Sequence, residues 1–330
     1  MDLNFNFNLP DVHEEHKAIP LDAEIVYNVL IVGGGPAAMT AAVYCMRKGV
    51  KTGLITKSVG GQVAETASVE NYIGFKYIEG LNLVNKFRDH FKQFEIGYKE
   101  GIRAISIIPQ KIKTVTLEDG SSYQAKALII CTGKSPKKLN VPGEKELTGK
   151  GVAYCAICDA PLFAGRKVAV IGGGNSGIEA AIDLAKLAEH VTIIEYLDIL
   201  KADDILIDKL KSFDNYKILS GHEVISINGD SQVESITIKN RKSGKTETID
   251  LDGVFIEIGL VPNTGFVKDA LYLNKWGEII VDCDCRTNIP GIFAAGDVTS
   301  VPYKQIIIAA GEGAKAALSA SDYVLKNEWL

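Results

Sequence analysis

The chain has 330 residues and a formal net charge of −5, with 46% hydrophobic and 23% charged residues. These proportions are typical of a soluble globular protein of about two domains. The negative charge and the absence of a Lys/Arg-rich run argue against nucleic acid or anionic membranes as partners. The N-terminus lacks the basic and apolar regions of a signal peptide, and no apolar run approaches the ~20 residues of a membrane span. We therefore expect a cytoplasmic protein.

The first 24 residues form a polar segment in which Phe5 and Phe7 alternate with asparagine before a charged, proline-containing stretch. Nothing in this segment indicates chemistry. We expect residues 1–24 to be an N-terminal arm that packs on the surface or against a second subunit.

Two similar patterns follow the arm. In the first, IVYNVLIV leads through GGGPAA into MTAAVYCMRKG and then KTGLIT; in the second, KVAVI leads through GGGNSG into IEAAIDLAKLA and then HVTIIE. An apolar run, a glycine turn, a stretch of helical period and a second apolar run are typical of a dinucleotide-binding βαβ unit. The sequence therefore predicts an α/β fold with two Rossmann-like three-layer dinucleotide-binding domains.

The first glycine loop satisfies GxGxxG/A through Gly33, Gly35 and Ala38. In this motif the first glycine allows the tight turn, the second lets the backbone approach a pyrophosphate, and the third position allows close helix–strand packing. The next strand ends in Thr56-Lys57, without an acidic residue for a ribose. The loop therefore predicts a nucleotide but does not identify it.

The second glycine loop satisfies the motif through Gly172, Gly174 and Gly177, and the next strand ends in Glu195. A carboxylate about 20 residues past the loop accepts hydrogen bonds from the adenosine ribose in NAD sites. The following YLDILKAD contains no arginine for a 2′-phosphate. The pattern favours NADH over NADPH, the alternative being that Glu195 is a solvated strand end.

The segment ITIKNRKSGKTETIDLDGVFIEIG is typical of hairpin strands, with turn signals at Ser243-Gly244 and Asp252-Gly253. The last 50 or so residues predict a strand, a loop and a long helix that begins near Lys304.

A CxxC sequence, Cys155 to Cys158, precedes the second glycine loop. This spacing suits a redox-active disulfide with one attacking and one resolving cysteine. A zinc site would need two further ligands, and a structurally idle pair is the other alternative. Asp159 directly follows Cys158. It is interpreted as a proton donor and acceptor for the thiols, the alternative being an ordinary turn residue. No metal site is predicted.

The four other cysteines are interpreted as packing residues. Cys283 and Cys285 are predicted to share one face of a half-buried strand, with a second redox pair as the alternative. Cys45 falls in the apolar stripe of the first helix and Cys131 at a strand end.

From about Tyr27 to its C-terminus, the chain resembles the low-molecular-weight thioredoxin reductases. Within that family it is most similar to the reductase portion of the alkyl hydroperoxide reductase flavoproteins. The resemblance is carried, in order, by GGGPAA, GGQV, VENYIGF, CTG, VPGE, YCAICDAPLF, GGGNSGIEAAIDLA, HVTIIE, LKAD, GLVPNT, GIFAAGD and VPYKQIIIAAGEGAKAA.

The resemblance implies FAD at the first loop and a nicotinamide nucleotide at the second. Asp297 would hold the ribityl chain of the flavin, and the helix opened by Lys304, Gln305 and Ile306 would face its ring. The FAD set implied in this way is Gly33, Gly35, Pro36, Ala37, Ala38, Gly60, Gly61, Gln62, Asn71, Thr132, Gly133, Gly296, Asp297, Lys304, Gln305 and Ile306. The NAD set is Gly172, Gly174, Asn175, Ser176, Gly177, Glu195 and Gly259.

In the family, the cysteine matching Cys158 faces the flavin, and that matching Cys155 attacks the partner disulfide. The resemblance implies a discontinuous FAD domain (25–137 and 263–330) and an inserted NAD domain (138–262), which alternate between two orientations in a homodimer. The function implied is electron transfer from NADH through FAD and the CxxC disulfide to a thioredoxin- or glutaredoxin-like protein, which in turn serves a peroxiredoxin. The alkyl hydroperoxide flavoproteins carry an N-terminal thioredoxin-like region, so the 24 residues here lead us to expect a separate carrier.

Two departures from the family are Ala160, where glycine is common, and the missing arginines of NADPH-dependent members. One alternative is a reductase driven by ferredoxin with a vestigial nicotinamide site; the intact GGGNSG and Glu195 argue against it. Others are a ferredoxin–NAD(P) reductase or NADH oxidase, which would not need the CxxC, and a non-catalytic flavin redox sensor.

Overall fold

The structure, a computed structural model, describes residues 19–66, 69–154 and 156–329. Its first part contains β1 (Ile19–Pro20), β2 (Val26–Val32), α1 (Pro36–Arg47), β3 (Thr52–Thr56), a 3₁₀ helix (Gly61–Glu65), α2 (Gly80–Phe91), β4 (Gly97–Glu100), β5 (Ala104–Pro109), β6 (Lys113–Leu117) and β7 (Ser122–Ile130). The middle part contains β8 (Lys134–Pro136), β9 (Val152–Ala153), α3 (Ala156–Asp159), a 3₁₀ helix (Ala160–Phe163), β10 (Lys167–Ile171), α4 (Asn175–Ala185), β11 (His190–Glu195) and α5 (Asp204–Leu210). The remainder contains β12 (Tyr216–Ser220), β13 (His222–Asn228), β14 (Ser235–Asn240), β15 (Thr246–Asp250), β16 (Gly253–Ile256), β17 (Leu260–Pro262), β18 (Ile292–Ala294) and α6 (Ile306–Lys326).

These elements form two compact units. Unit 1 comprises residues 19–64, 70–133 and 262–329. Unit 2 comprises residues 134–261 together with the described residues 65, 66 and 69. The long segment of unit 2, residues 134–261, is thus inserted in the sequence of unit 1; the chain enters it after Gly133 and leaves it before Pro262. β8 and β17, at the two crossings, pair as a two-stranded sheet.

Unit 1 is built on a mixed sheet with the strand order β1-β4-β3-β2-β7-β6-β5, in which β18 also pairs with β7. β2 lies between β3 and β7, parallel to both, and its last four residues are buried, as expected of a central parallel strand. α1 and α6 pack closely, because a Cβ added to Gly313 of α6 would lie 2.1 Å from the carbonyl oxygen of Ala37 in α1.

The edge of this sheet includes part of the predicted N-terminal arm. Ile19 and Pro20 form β1, which pairs in parallel with Gly97 and Tyr98 of β4. Residues 19 and 20 are therefore a strand of unit 1. Residues 1–18 of the predicted arm lie outside the described residues.

Unit 2 combines a parallel sheet, ordered β12-β11-β10-β16-β9, with an antiparallel sheet, β13-β14-β15. The turn predicted at Ser243-Gly244 joins β14 to β15, and Gly244 has a φ of +72°. The turn predicted at Asp252-Gly253 does not close a hairpin, because Gly253 begins β16, which runs parallel to β10. This turn signal marks the return of the chain to the parallel sheet.

The predicted α/β class with two Rossmann-like units is confirmed. The long helix predicted near Lys304 is also present, since α6 begins at Ile306 and Gln305 occupies its N-cap position. Among the described helices, none is long and apolar enough to cross a bilayer.

Candidate nucleotide-binding and redox sites

The first glycine loop joins β2 to α1 in unit 1. Gly33 has a φ of +138°, and a Cβ there would lie 2.2 Å from the carbonyl oxygen of Cys131, so only glycine fits. Gly35 has nothing within 4 Å of its Cβ position. The loop is therefore tight at its first glycine and open at its second, as a pyrophosphate site requires.

The second loop, between β10 and α4 in unit 2, repeats this geometry. Gly172 has a φ of +122°, and its Cβ would lie 2.3 Å from the carbonyl oxygen of Glu257. The Cβ position of Gly174 is again open, whereas that of Gly177 would lie 2.0 Å from the carbonyl oxygen of Gly172. Gly177 thus allows the close packing that the third motif position predicts.

Both loops end at helix N-termini without a side-chain cap. Gly35 is the N-cap of α1 and Gly174 is the N-cap of α4, and neither helix has an acidic residue in its first turn. The first N–H groups of a helix have no partner within the helix, and its dipole favours negative charge at that end. Each helix therefore offers N–H donors to an anion lying against an open glycine.

Glu195 connects the end of β11 to the second loop. Its Oε2 accepts the backbone N–H of Gly173 at 2.5 Å, and its Oε1 accepts that of Leu197 at 2.7 Å. The residue is buried. Its carboxylate thus fixes the middle glycine of the loop, so the description of Glu195 as a solvated strand end is wrong. Carboxylate oxygens can accept further hydrogen bonds, so a ribose remains compatible with this arrangement.

Several predicted FAD residues are brought together from distant parts of unit 1. Asn71 donates from Nδ2 to Oε1 of Gln305 at 3.1 Å across 234 residues of sequence. Gly60 donates its N–H to the carbonyl oxygen of Gly34 in the glycine loop at 2.7 Å. A Cβ on Gly296 would lie 3.1 Å from that of Ala37 at the start of α1.

The remaining members of the set lie in the same unit. Gly61 and Gln62 open the first 3₁₀ helix, and Gly133 follows Thr132, whose hydroxyl donates to the carbonyl oxygen of Asn263 at 2.9 Å. Lys304 donates from Nζ to the carbonyl oxygen of Thr299 and forms an ion pair with Glu278. Asp297 directly follows Gly296 and is partly exposed.

Sequence reasoning missed Glu312 in α6. Its side chain is buried; Oε2 accepts the N–H of Gly296 at 2.8 Å, and Oε1 has no hydrogen-bond partner among the described residues. Burial raises the pKa of this carboxyl above its ordinary value. Glu312 thus holds the backbone beside Asp297, but no sequence motif marks it because the contact joins a helix interior to a distant turn.

The CxxC sequence lies in unit 2. Cys155 lies outside the described residues, as does the side chain of Cys158; the backbone of Cys158 belongs to α3. Asp159 ends α3 and is partly buried. Burial raises the pKa of its carboxyl, which keeps the neutral, proton-donating form to higher pH than in water. Ala160 begins the second 3₁₀ helix and is itself buried.

Glu257 is a second carboxyl at α3 that sequence reasoning missed. Its Oε1 accepts a long hydrogen bond of 3.4 Å from the N–H of Ala156, the first residue of α3. Burial raises its pKa to about 7, the Ala156 N–H opposes this shift, and the charge of Glu179 adds to it. Two carboxyls with raised pKa values, Asp159 and Glu257, therefore flank the short helix that contains Cys158.

Glu257→Gln is expected to remove a pH dependence of stability. The folded carboxyl has a pKa of about 7 against 4.5 for the unperturbed group, so the folded state binds its proton more tightly. Its stabilising contribution is complete below the unfolded pKa and is lost as pH rises through 7. The loss is about 2–3 kcal/mol, reduced for partial exposure. In urea unfolding between about pH 5 and 8, wild type should lose stability relative to the variant; a constant difference would contradict the raised pKa.

The other cysteines are not paired with one another. Cys283 and Cys285 were predicted on one strand face, but residues 283 and 284 form a turn. Cys283 is exposed and Cys285 is buried with a φ of +62°, so the strand prediction is wrong. Cys45 and Cys131 are buried as predicted, and burial raises the pKa of Cys45 to about 12, which keeps its thiol protonated.

The chain is similar to known proteins along most of its length. A sequence profile of the family described as “Pyridine nucleotide-disulphide oxidoreductase” matches residues 27–313. The F subunit of alkyl hydroperoxide reductase from Staphylococcus aureus (strain MSSA476) is 49% identical over 303 residues, which cover 91% of this chain and 60% of that protein. The thioredoxin reductase of Lactococcus lactis is 36% identical with a TM-score of 0.78, covering 91% of this chain and 100% of that one. The thioredoxin reductase of T. acidophilum is 42% identical with a TM-score of 0.74, covering 90% and 98%.

The chain thus spans about 60% of the length of the curated relatives it matches, but nearly the whole of these thioredoxin reductase structures. The matched region contains both glycine loops, the CxxC sequence and the start of α6. The resemblance seen in the sequence motifs is confirmed by these similarities. The chain belongs to the pyridine nucleotide-disulphide oxidoreductase family.

Proposed function

We propose that the chain is a flavin-dependent protein-disulfide reductase of the thioredoxin reductase type, with a nicotinamide nucleotide as its electron donor. One observation carries the proposal. Each unit has a helix whose N-cap is a glycine of the loop and whose N-terminus has no side-chain cap, and the unit with the second loop also contains the CxxC sequence. Two nucleotide sites and a redox-active dithiol are the parts such a reaction needs. The similarity to thioredoxin reductases and to the alkyl hydroperoxide reductase of S. aureus supports this function.

FAD fits the site in unit 1. The open space at Gly35 and the N-terminus of α1 would hold its pyrophosphate. Asp297 would bind the ribityl hydroxyls, while the Asn71–Gln305 pair and the start of α6 would border the ring. When bound, FAD supplies a two-electron carrier between a hydride donor and a disulfide.

The CxxC pair would deliver the electrons to the partner. With two electrons and two protons, the Cys155–Cys158 disulfide becomes two thiols, and Asp159 supplies a proton from its stabilised neutral form. The Cys155 thiol then loses its proton, and the thiolate attacks the partner disulfide, which breaks the S–S bond of the partner and forms a mixed disulfide. The partner sulfur that leaves takes up that proton. Cys158 attacks the Cys155 sulfur, which releases the partner as a dithiol and restores the internal disulfide.

The partner we propose is a thioredoxin- or glutaredoxin-like protein that passes the electrons to a peroxiredoxin. The S. aureus relative is named for alkyl hydroperoxide, a substrate that such a chain of thiol proteins would reduce. We also propose that the protein acts as a homodimer, which light scattering of the purified protein would test.

We propose NADH rather than NADPH as the donor, because the carboxylate of Glu195 lies beside the second loop. Glu195→Gln is expected to lower the NADH-to-NADPH ratio of kcat/KM by about tenfold. The substitution removes the negative charge that repels a 2′-phosphate, and it also removes one hydrogen-bond acceptor for the ribose. The ratio is measured by steady-state kinetics with each donor. Glu189→Gln, an exposed residue just before β11, is the matched control and should leave the ratio unchanged. An unchanged ratio in Glu195→Gln would argue against this role.

The function is tested by anaerobic titration of the FAD-loaded protein with NADH and, separately, NADPH, followed by the visible flavin absorbance. Stoichiometric bleaching by NADH at much lower concentration than NADPH, with two new thiols by Ellman titration, is expected. Bleaching without new thiols would favour an NADH oxidase or a ferredoxin–NAD(P) reductase. No bleaching by either nucleotide would make reduced ferredoxin the donor to try.

A further inference from the structure

In unit 2, Tyr196 in the loop after β11 is stacked with Arg241 in the turn after β14. The guanidinium carbon of Arg241 lies over the Tyr196 ring, 3.9 Å from its centre. Its Nη1 donates to the carbonyl oxygen of Tyr196 at 3.0 Å. Both residues are exposed, Tyr196 by 51%. A planar cation is thus held on an aromatic ring at the surface, where ordering two flexible side chains costs entropy.

The antiparallel sheet holds this loop in place. The N–H of Gly221 donates to the carbonyl oxygen of Leu197 at 2.8 Å. The N–H of Arg241 donates to the carbonyl oxygen of Gly221 at 2.9 Å. Lys242 forms an ion pair of 3.2 Å with Asp198. Backbone hydrogen bonds therefore hold the two segments that carry the stacked pair next to each other. A preorganised surface binds more tightly because less entropy is lost.

The pair borders the adenosine end of the second nucleotide site. Tyr196 directly follows Glu195, whose Oε2 accepts the N–H of Gly173 in the glycine loop. In Rossmann units the ligand lies outside the carboxyl ends of the strands, and the end of the second strand meets the adenosine ribose. The residue after that strand end is therefore the nearest surface for the adenine.

We propose that Tyr196 and Arg241 form the adenine subsite of the nicotinamide nucleotide, with the base stacked on the guanidinium–ring pair. This inference rests on the proposed function, in which the second loop binds that nucleotide. Flat bases stack on aromatic rings and on guanidinium planes. A role for Arg241 in binding a 2′-phosphate is disfavoured for two reasons. Its Nη1 already donates to the carbonyl oxygen of Tyr196, and the carboxylate of Glu195, the residue before Tyr196, would repel the phosphate.

Three variants test the subsite with NADH as the variable substrate. Arg241→Ala and Tyr196→Ala are expected to raise the KM for NADH about tenfold with little change in kcat, since the adenine is remote from the reacting ring. Arg241→Lys keeps the charge but loses the plane, and it should not restore the KM. Lys239→Ala removes an exposed charge from the same antiparallel sheet and serves as the control. Thermal unfolding checks that each variant is folded.

Calorimetric binding of ADP-ribose to the oxidised protein separates this inference from the proposed function, because it needs no electron transfer. Tight binding to wild type and about tenfold weaker binding to Arg241→Ala would support the subsite. If NADH nevertheless failed to reduce the flavin, that failure would refute the proposed function and leave the subsite standing. An unchanged KM and Kd in folded Arg241→Ala would overturn the subsite. Loss confined to NADPH, or full rescue by lysine, would overturn stacking in favour of a charge contact.

Discussion

Replacing Cys158 with serine is expected to abolish reduction of a thioredoxin-like protein, by more than about 1000-fold, while NADH still reduces the bound flavin. A serine hydroxyl cannot form the internal disulfide, so electrons would reach the flavin but not the partner. The two activities are measured separately, with a thioredoxin-coupled assay and with ferricyanide as a direct electron acceptor. Cys155→Ser should give the same split, because the disulfide needs both sulfurs.

Cys283→Ser is the matched control, because it removes an exposed cysteine from unit 1 instead of one from the CxxC. It should retain both activities. If Cys158→Ser kept its protein-disulfide activity while Cys283→Ser lost it, the redox pair would lie in the turn at residues 283–285, and the proposed mechanism would be wrong. Loss of ferricyanide reduction in Cys158→Ser would instead indicate damage to the nicotinamide or flavin site.

The glycine loops could be predicted from the sequence because their requirements are local. Gly33 and Gly172 are needed for a positive φ and for a close carbonyl oxygen, and both follow directly from a strand–turn–helix pattern. The burial of β2 and β10 follows from continuous apolar runs in the same way. Motifs of this kind fix the position of each nucleotide loop without any knowledge of tertiary contacts.

Several side chains beside the candidate sites could not be predicted in this way. Arg241 reaches Tyr196, Glu312 reaches Gly296, and Glu257 reaches Ala156, each from an element far along the chain. Such contacts depend on sheet order and register, which no local pattern specifies. The absence of arginine just after Glu195 in the sequence therefore did not exclude an arginine beside that strand end in space.

The cysteines at 283 and 285 were mispredicted for a local reason. Alternation of side chains over a few residues predicts a strand. However, the Oδ1 of Asp282 accepts the N–H groups of both Asp284 and Arg286, and these bonds close a turn. Aspartate side chains that bond nearby backbone groups compete with strand pairing. Cys285 consequently takes a left-handed conformation instead of facing the same side as Cys283.

The two loops differ at the strand end that follows each of them. A Cβ on Gly173 would lie 2.9 Å from Oε2 of Glu195, whereas one on the equivalent Gly34 would lie 2.2 Å from the hydroxyl oxygen of Thr56. The carboxylate of Glu195 beside Gly173 thus occupies the place that the hydroxyl of Thr56 occupies beside Gly34. Because the two loops are alike at their first and second motif glycines and these neighbours are not, the strand ends would give a physical basis for binding different nucleotides at the two loops.

Valine substitutions at Gly35 and Gly174 are expected to separate the two sites. Both glycines have extended backbone, with φ of −82° and −86°, and open Cβ positions, so either valine fits the fold but fills the space proposed for a pyrophosphate. Gly35→Val should be purified without FAD. Gly174→Val should retain FAD but show a KM for NADH raised roughly 100-fold, while dithionite still bleaches the flavin. Flavin content and anaerobic NADH titration measure the two effects.

Each variant controls for the other, since both place a poor N-cap residue at a helix start, at a shared cost of about 1 kcal/mol. Gly265→Val, at another glycine with an open Cβ position, should alter neither flavin content nor the KM for NADH. If Gly174→Val lost FAD, or if Gly35→Val kept FAD but resisted NADH, the assignment of the nucleotides to the loops would have to be exchanged. If both variants matched wild type in melting temperature, FAD content and KM, neither open glycine would face a pyrophosphate, and the two-nucleotide mechanism would lose its structural basis.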